Sequence, residues 1–227
     1  MRYLNKIVFI NSAAIRYSEV QLDGNIHLIG TQGVGKSTIL RAILFFYNAD
    51  TQRLGIPVEK KSYQDYYFPY ADSSIIYEVA REDGWFTVLS YKTMNRICYR
   101  FIASPYRPEL FIDEEGAPYP SDRIRSVLDK NGIKYSGAIS TYEEYRNILY
   151  GNSDNKRDYS CYSLMESGSY QNIIRTIQNV LLNSRLEADY IKQTIITSLN
   201  EADSVIDLSR YRTHLSGLQA QLNDIGG

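Results

Sequence analysis

Gly30-Thr31-Gln32-Gly33-Val34-Gly35-Lys36-Ser37 matches G-x-x-x-x-G-K-[ST], the pattern of a loop that cradles phosphates. The neighbouring sequence fits a strand–loop–helix context. Ile26-His27-Leu28-Ile29 is a short apolar run ending at Gly30. After Lys36, the residues Ile39, Ala42, Ile43 and Phe46 fall at i, i+3, i+4 and i+7, one apolar face of a helix. Glycines reach backbone conformations closed to other residues, so successive N–H groups can converge on phosphate oxygens at the positive end of a helix. Lys36 is then expected to neutralise the β- and γ-phosphates, Ser37 to ligate Mg²⁺, and Thr38 to sit beside the phosphates. The expected ligands are a nucleotide and Mg²⁺.

The remainder of the composition bounds this reading. The chain has 227 residues, 44% hydrophobic and 22% charged, enough for one large domain or two small ones. Intrinsic disorder is excluded by that hydrophobic content and a net charge of -1. Two cysteines, Cys98 and Cys161, cannot make a disulfide-stapled scaffold. No apolar run approaches the roughly 20 residues that span a bilayer, so no membrane partner is expected. The first ten residues lack a signal-peptide pattern, and the expected location is the cytoplasm. Near-neutral charge gives no global case for nucleic-acid binding, so any DNA contact needs a local patch. Twenty-one tyrosines accompany a single Trp85. Tyrosines in strands read as half-buried sheet residues, while a tyrosine-rich surface would read as an interface.

Along the chain, Ile7-Val8-Phe9-Ile10 and Glu19-Val20-Gln21-Leu22 read as strands, with a turn at Asp23-Gly24-Asn25. Residues 73–102 read as a β-meander with a turn at Glu82-Asp83-Gly84. In its third strand Ile97, Tyr99 and Phe101 alternate with Arg96, Cys98 and Arg100, which predicts one buried and one wet face. Ser121 reads as the N-cap of a helix that ends at Asn131-Gly132, and a second helix is expected over 141–150. Residues 151–158 read as a polar loop and 159–165 as a strand. Ile173, Ile177, Val180 and Leu181 share a helical face. Leu208, Tyr211, Leu215, Leu218, Leu222 and Ile225 are spaced 3-4-3-4-3, a heptad seam that predicts the start of a coiled coil continuing beyond the chain.

A phosphate cradle fixes a nucleotide but not a reaction, which also needs a Mg²⁺-holding carboxylate and a water-positioning group. Leu110-Phe111-Ile112-Asp113-Glu114 resembles a short Walker B run, but flanking prolines and glycine make it an edge strand and turn. Asp113–Gly116 spells D-x-x-G, and Asn155-Lys156-Arg157-Asp158 spells N-K-x-D, which together would point to a GTPase. The second tetrapeptide, however, sits in a wholly polar stretch rather than after a buried strand. Leu215-Ser216-Gly217-Leu218-Gln219 approximates the L-S-G-G-Q signature of ABC ATPases, but its leucines belong to the heptad seam.

A complete cradle, no hydrolytic half and a terminal heptad seam together resemble the N-terminal half of the ABC-type ATPase head of SMC-like proteins, of the SMC, Rad50 and MukB type. The stretches 30–50 and 173–199 look more narrowly like Wadjet-type JetC and MksB coiled-coil ATPases. The resemblance implies an α/β fold: a P-loop NTPase lobe over 1–200 with an added antiparallel β-meander, and a coiled-coil root over 201–227. It also implies that the protein's own C-terminal half supplies the signature motif, Walker B and catalytic glutamate. A second head (a homodimer), kleisin-type or accessory subunits, and DNA are the implied partners, in chromosome organisation or anti-plasmid defence at the nucleoid.

Several positions depart from that family's pattern. Gln32 stands where such heads usually carry Asn, keeping the amide. Asn11-Ser12-Ala13-Ala14 replaces an aromatic-basic pair that borders the base, leaving Arg16 and Tyr17 as base-side candidates. Gln171 is the Q-loop candidate. Arg53, Lys60 and Lys61 are the DNA-contact candidates, with Arg96 and Arg100 as further cations. Two rival readings remain: a self-contained P-loop GTPase or small-molecule kinase using Asp113, and a partner-binding module using helices over 171–225.

Overall fold

Residues 2–22, 36–48, 62–94, 96–151 and 159–164 are described by a computed structural model of the chain. The apolar run at 7–10 forms the centre of β1 (Tyr3–Ser12), which turns at Ala13-Ala14 into β2 (Ile15–Gln21). Helix α1 (Lys36–Asn48) follows, then the short α2 (Tyr63–Tyr67). The meander is β3 (Ser74–Arg81), β4 (Gly84–Thr93) and β5 (Arg96–Ile102). Two more helices, α3 (Ser121–Lys130) and α4 (Tyr142–Leu149), complete the described elements with 3-10 turns at Pro108–Leu110 and Ser160–Tyr162.

Among the described residues, the strands make one five-stranded sheet in the order β2-β1-β3-β4-β5, and every pairing is antiparallel. This corrects the expected fold class. Among the described residues the architecture is an antiparallel sheet with few helices, which does not look like a P-loop NTPase lobe with an added meander. The meander is no appendage, because β1 lies directly beside β3 and the meander is the sheet itself. The physical reason lies in the connections. Tight turns join β1 to β2, β3 to β4 and β4 to β5, and such turns produce antiparallel neighbours, whereas parallel strands need crossovers of a dozen or more residues. The strand expected at 26–29 and the heptad seam over 201–227 lie outside the described residues.

Both faces of the sheet are covered. On one, Ile7, Phe9, Ile75, Tyr77 and Phe101 pack against α1, α2 and α4. On the other, Val8, Ile10, Ile76, Leu89 and Ile102 pack under Tyr106, Leu110, Phe111 and α3. Successive β1 side chains therefore enter opposite cores, as the period-2 geometry of a strand requires. The expected wet face of β5 is also corrected: Cys98 and Arg100 are buried. The Arg100 guanidinium lies 5.1 Å from the Tyr135 ring centroid, and its Nη1 donates to Ser136 O at 3.4 Å. Arg96 is exposed. Glu78, also buried, accepts hydrogen bonds from Asn5 Nδ2 at 2.7 Å and from the Tyr106 N–H at 2.6 Å.

Four of the twenty-one tyrosines form a clamp on α1. Tyr67 donates its hydroxyl proton to Thr38 O (2.7 Å), and Tyr77 donates to Ala42 O (3.0 Å). Tyr145 donates to Phe46 O and Tyr150 to Tyr47 O. Residues 38, 42 and 46 recur every four positions, so their carbonyls form one stripe along the helix. These four tyrosines are fully buried rather than half-buried sheet residues. Burial raises the hydroxyl pKa of Tyr67, Tyr77 and Tyr145, which keeps them neutral donors.

Smaller differences have local causes. The α3 cap is Pro120, and Ser121 is the first helical residue instead. Thr141 caps α4, its Oγ1 accepting the Glu144 N–H at 3.3 Å. Gly132 ends α3 at φ +64°, a conformation that suits glycine. The strand expected at 159–165 is replaced by the 3-10 turn Ser160–Tyr162, which places Tyr162 against Phe86 and Phe101.

Candidate phosphate-binding site

Helix α1 opens at Lys36, the lysine of the G-x-x-x-x-G-K-S motif, and carries no acidic residue in its first turn. Its positive end is therefore not neutralised by a carboxylate of its own. Lys36 and Ser37 are described as helical backbone only, and residues 30–35 lie outside the described residues. Thr38, the third helical residue, is buried, with its Oγ1 3.0 Å from the Tyr66 hydroxyl.

The first turn of α1 is held from below by α2. Tyr67 grips the Thr38 carbonyl, while the Tyr67 carbonyl itself accepts the Ser12 hydroxyl at 2.7 Å. Tyr66 packs edge-on to Tyr67, ring centroids 5.0 Å apart at 80°. The end of β1, α2 and the start of α1 are thus tied by side-chain hydrogen bonds. Helix α2 went unpredicted, yet it carries a readable signal: Ser62 and Asp65 form an S-x-x-D cap. Ser62 Oγ accepts the Asp65 N–H at 3.1 Å and donates to Asp65 Oδ2 at 2.7 Å. A helix start with no acidic residue in its own first turn and a buried hydroxyl there suits a phosphate group. On that fit Lys36, Ser37 and Thr38 would hold the phosphates and Mg²⁺.

Arg16 and Tyr17 sit elsewhere. Tyr17 pairs with Ile10 across the β1–β2 hairpin, so its side chain shares the face of the second core, opposite α1. Both residues line a cavity of about 640 Å³ with Ile10, Asn11, Ile112 and Glu115. The Tyr17 hydroxyl donates to Glu19 Oε1 at 2.6 Å and lies 2.9 Å from the Tyr106 hydroxyl, and Glu19 also binds Lys6 at 2.8 Å. Burial, then the bond to Glu19, raise the pKa of Tyr17.

Asp113 is occupied by a turn. Its Oδ1 accepts the Glu115 N–H at 3.0 Å and the Ala117 N–H at 2.7 Å, between the bridged residues Ile112 and Pro118. The D-x-x-G spelling is a turn closed by Gly116 at φ +80°. Gln171, Arg53, Lys60, Lys61, Asn155-Lys156-Arg157-Asp158, Leu215-Ser216-Gly217-Leu218-Gln219 and the helices over 171–225 lie outside the described residues. Among the described residues, no group of three or more His, Cys, Asp or Glu could hold a metal ion, and no helix is long and apolar enough to cross a membrane.

A family model for a protein of unknown function, DUF3584, matches residues 12–222. The chain belongs to the DUF3584 family. That match takes in the phosphate-loop motif, β2 to β5 and all the helices described above. No curated protein matches the chain.

Proposed function

We propose that this chain is the ATP-binding half of an SMC-like ATPase that acts on DNA, in chromosome organisation or anti-plasmid defence. The observation that carries the reading is the start of α1 at Lys36, directly after Gly30-x-x-x-x-Gly35, with no acidic residue in its first turn. Backbone N–H groups at that helix end suit phosphate oxygens. Lys36 neutralises the β- and γ-phosphates, Ser37 places its hydroxyl on Mg²⁺, and Thr38 lies beside the phosphates. Phosphoryl transfer also needs a second carboxylate and a water-orienting group. Asp113, the closest sequence approximation to the first, is spent on its own turn, which weighs against a self-contained GTPase or kinase. Turnover therefore requires the protein's own C-terminal half and pairing with a second copy. Kleisin-type or accessory subunits and DNA are further partners, and the setting is the cytoplasmic nucleoid.

Measuring ATP turnover with and without the C-terminal half supplied in trans tests the proposal. The chain alone is expected to hydrolyse little, and the mixture to turn over ATP in a Lys36-dependent manner. Robust turnover by the chain alone, abolished by Lys36→Ala, would overturn the split-site reading.

A further inference from the structure

We propose that the cavity between the β1–β2 hairpin and the 112–118 turn binds a small zwitterion with an aromatic body, an α-amino acid such as phenylalanine or tryptophan. The cavity lies on the sheet face opposite α1, so this ligand is separate from the nucleotide. Its volume of about 640 Å³ falls within the roughly 300–1,000 Å³ that small-molecule sites occupy. Ile10, Ile112 and Pro118 give it an apolar lining, and Tyr17 an aromatic one. Two opposite charges line it from separate walls, Arg16 from β2 and Glu115 from the turn. Among the described residues, their side chains form no ion pair with each other or with a neighbour. A carboxylate on Arg16 and an ammonium on Glu115 satisfy both charges, whereas a plain anion would meet Glu115 and a plain cation Arg16.

Both walls are formed in advance. Asn11, Ala13 and Ala14 are the non-glycine residues at positive φ among the described residues, and all three lie in the hairpin wall. Surrounding bonds hold that strain: Ser73 Oγ donates to Asn11 O at 2.6 Å, and Ser12 Oγ to Tyr67 O at 2.7 Å. Strain of this kind collects at ligand-binding sites. Tyr17 is fixed through its hydroxyl by Glu19 and Tyr106, while 42% of the residue stays exposed to meet a ring. Across the cavity, Asp113 closes the turn that carries Glu115.

The test is calorimetric titration of the 227-residue chain with L-phenylalanine and L-tryptophan. Three further probes, 3-phenylpropionate, 2-phenylethylamine and L-alanine, lack the ammonium, the carboxylate and the ring in turn. One saturable site is expected for the two aromatic amino acids, with each truncated probe at least about fivefold weaker, the scale of one net polar contact. Arg16→Gln is expected to weaken L-phenylalanine at least about fivefold and to leave 2-phenylethylamine unchanged. Glu115→Gln is expected to weaken L-phenylalanine likewise and to leave 3-phenylpropionate unchanged. Both positions are exposed, so the melting temperature of each variant should match wild type. Saturating MgATP should not compete. No saturable binding of either amino acid at millimolar concentration, equal affinity for the truncated probes, or wild-type affinity in either variant overturns the site. Competition by MgATP would move the ligand to the phosphate site and overturn it as well, while leaving ATP binding intact.

Discussion

Replacing Tyr77 by Phe removes one oxygen atom from the clamp on α1. That hydroxyl donates to Ala42 O at 3.0 Å, and the ring, fully buried, lies 5.0 Å from Phe46 at 37°. Phenylalanine keeps the ring contact, so no cavity term of the large-to-small kind applies. Ala42 O also stands in register for the helical N–H four residues on, so it is not left without a donor. The loss is then one net hydrogen bond, about 1 kcal/mol. For a chain of this size that corresponds to a fall in Tm of about 2–4 °C. Tyr145→Phe removes the bond to Phe46 O and is expected to cost a similar amount. The two acceptors lie one turn apart, so the double variant also measures their coupling, with about 2 kcal/mol expected if they are independent. Urea unfolding followed by circular dichroism is the assay. Tyr70→Phe, at an exposed position, is the control and is expected to stay within about 0.5 kcal/mol of wild type. Wild-type stability in both Tyr77→Phe and Tyr145→Phe would refute the clamp.

Three further perturbations test other parts of the account. Ala14, exposed in the β1–β2 turn at φ +65°, occupies a left-handed conformation that costs an alanine about 1 kcal/mol. Ala14→Gly should therefore raise the urea midpoint, and a lower midpoint would contradict the strain. Asp113→Ala removes the acceptor for two backbone N–H groups and should cost about 1 kcal/mol while leaving MgATP affinity unchanged. A loss of MgATP affinity in that variant would reassign Asp113 to the nucleotide. Burial first of all raises the hydroxyls of Tyr63, Tyr77 and Tyr145 well above their ordinary value of about 10. The folded state thus keeps protons that the unfolded chain sheds, so stability from these groups is complete below about pH 10 and declines as pH rises beyond it. In an alkaline titration the tyrosinate absorbance of these residues should appear together with loss of the folded circular-dichroism signal. Full ionisation near pH 10 with the fold intact would contradict their burial.

Several elements were readable from local pattern alone. The run Ile7-Val8-Phe9-Ile10, the period of Ile39, Ala42, Ile43 and Phe46, and the turn signal Glu82-Asp83-Gly84 all act over a few residues. They locate β1, α1 and the β3–β4 hairpin. The sheet order was not readable, because placing β1 beside β3 is a pairing across more than sixty residues of chain. The phosphate motif points to a P-loop NTPase lobe, whereas the hairpin turns favour antiparallel neighbours. The alternation in β5 was a true signal with the wrong consequence. Arg100 is polar but buried under Tyr135 and Ser136, a cover supplied by residues that read only as a helix end and loop. Tyrosine was the hardest residue to place. Its ring satisfies a core while its hydroxyl requires a partner, and the α1 carbonyls that provide it are invisible to composition. At the candidate site, the motif names Lys36, Ser37 and Thr38, of which the structure describes the side chain of Thr38. Tyr66 was not legible, since its link to Thr38 depends on the fold of α2.

The central claim, that the Gly30–Ser37 segment and the start of α1 bind a nucleotide, is tested most directly by calorimetric titration of the chain with ATP and Mg²⁺. The account predicts saturable, Mg²⁺-dependent binding at one site per chain, lost in Lys36→Ala with the folded circular-dichroism spectrum unchanged. Absence of binding by the wild-type chain, or equal binding by Lys36→Ala, would contradict it.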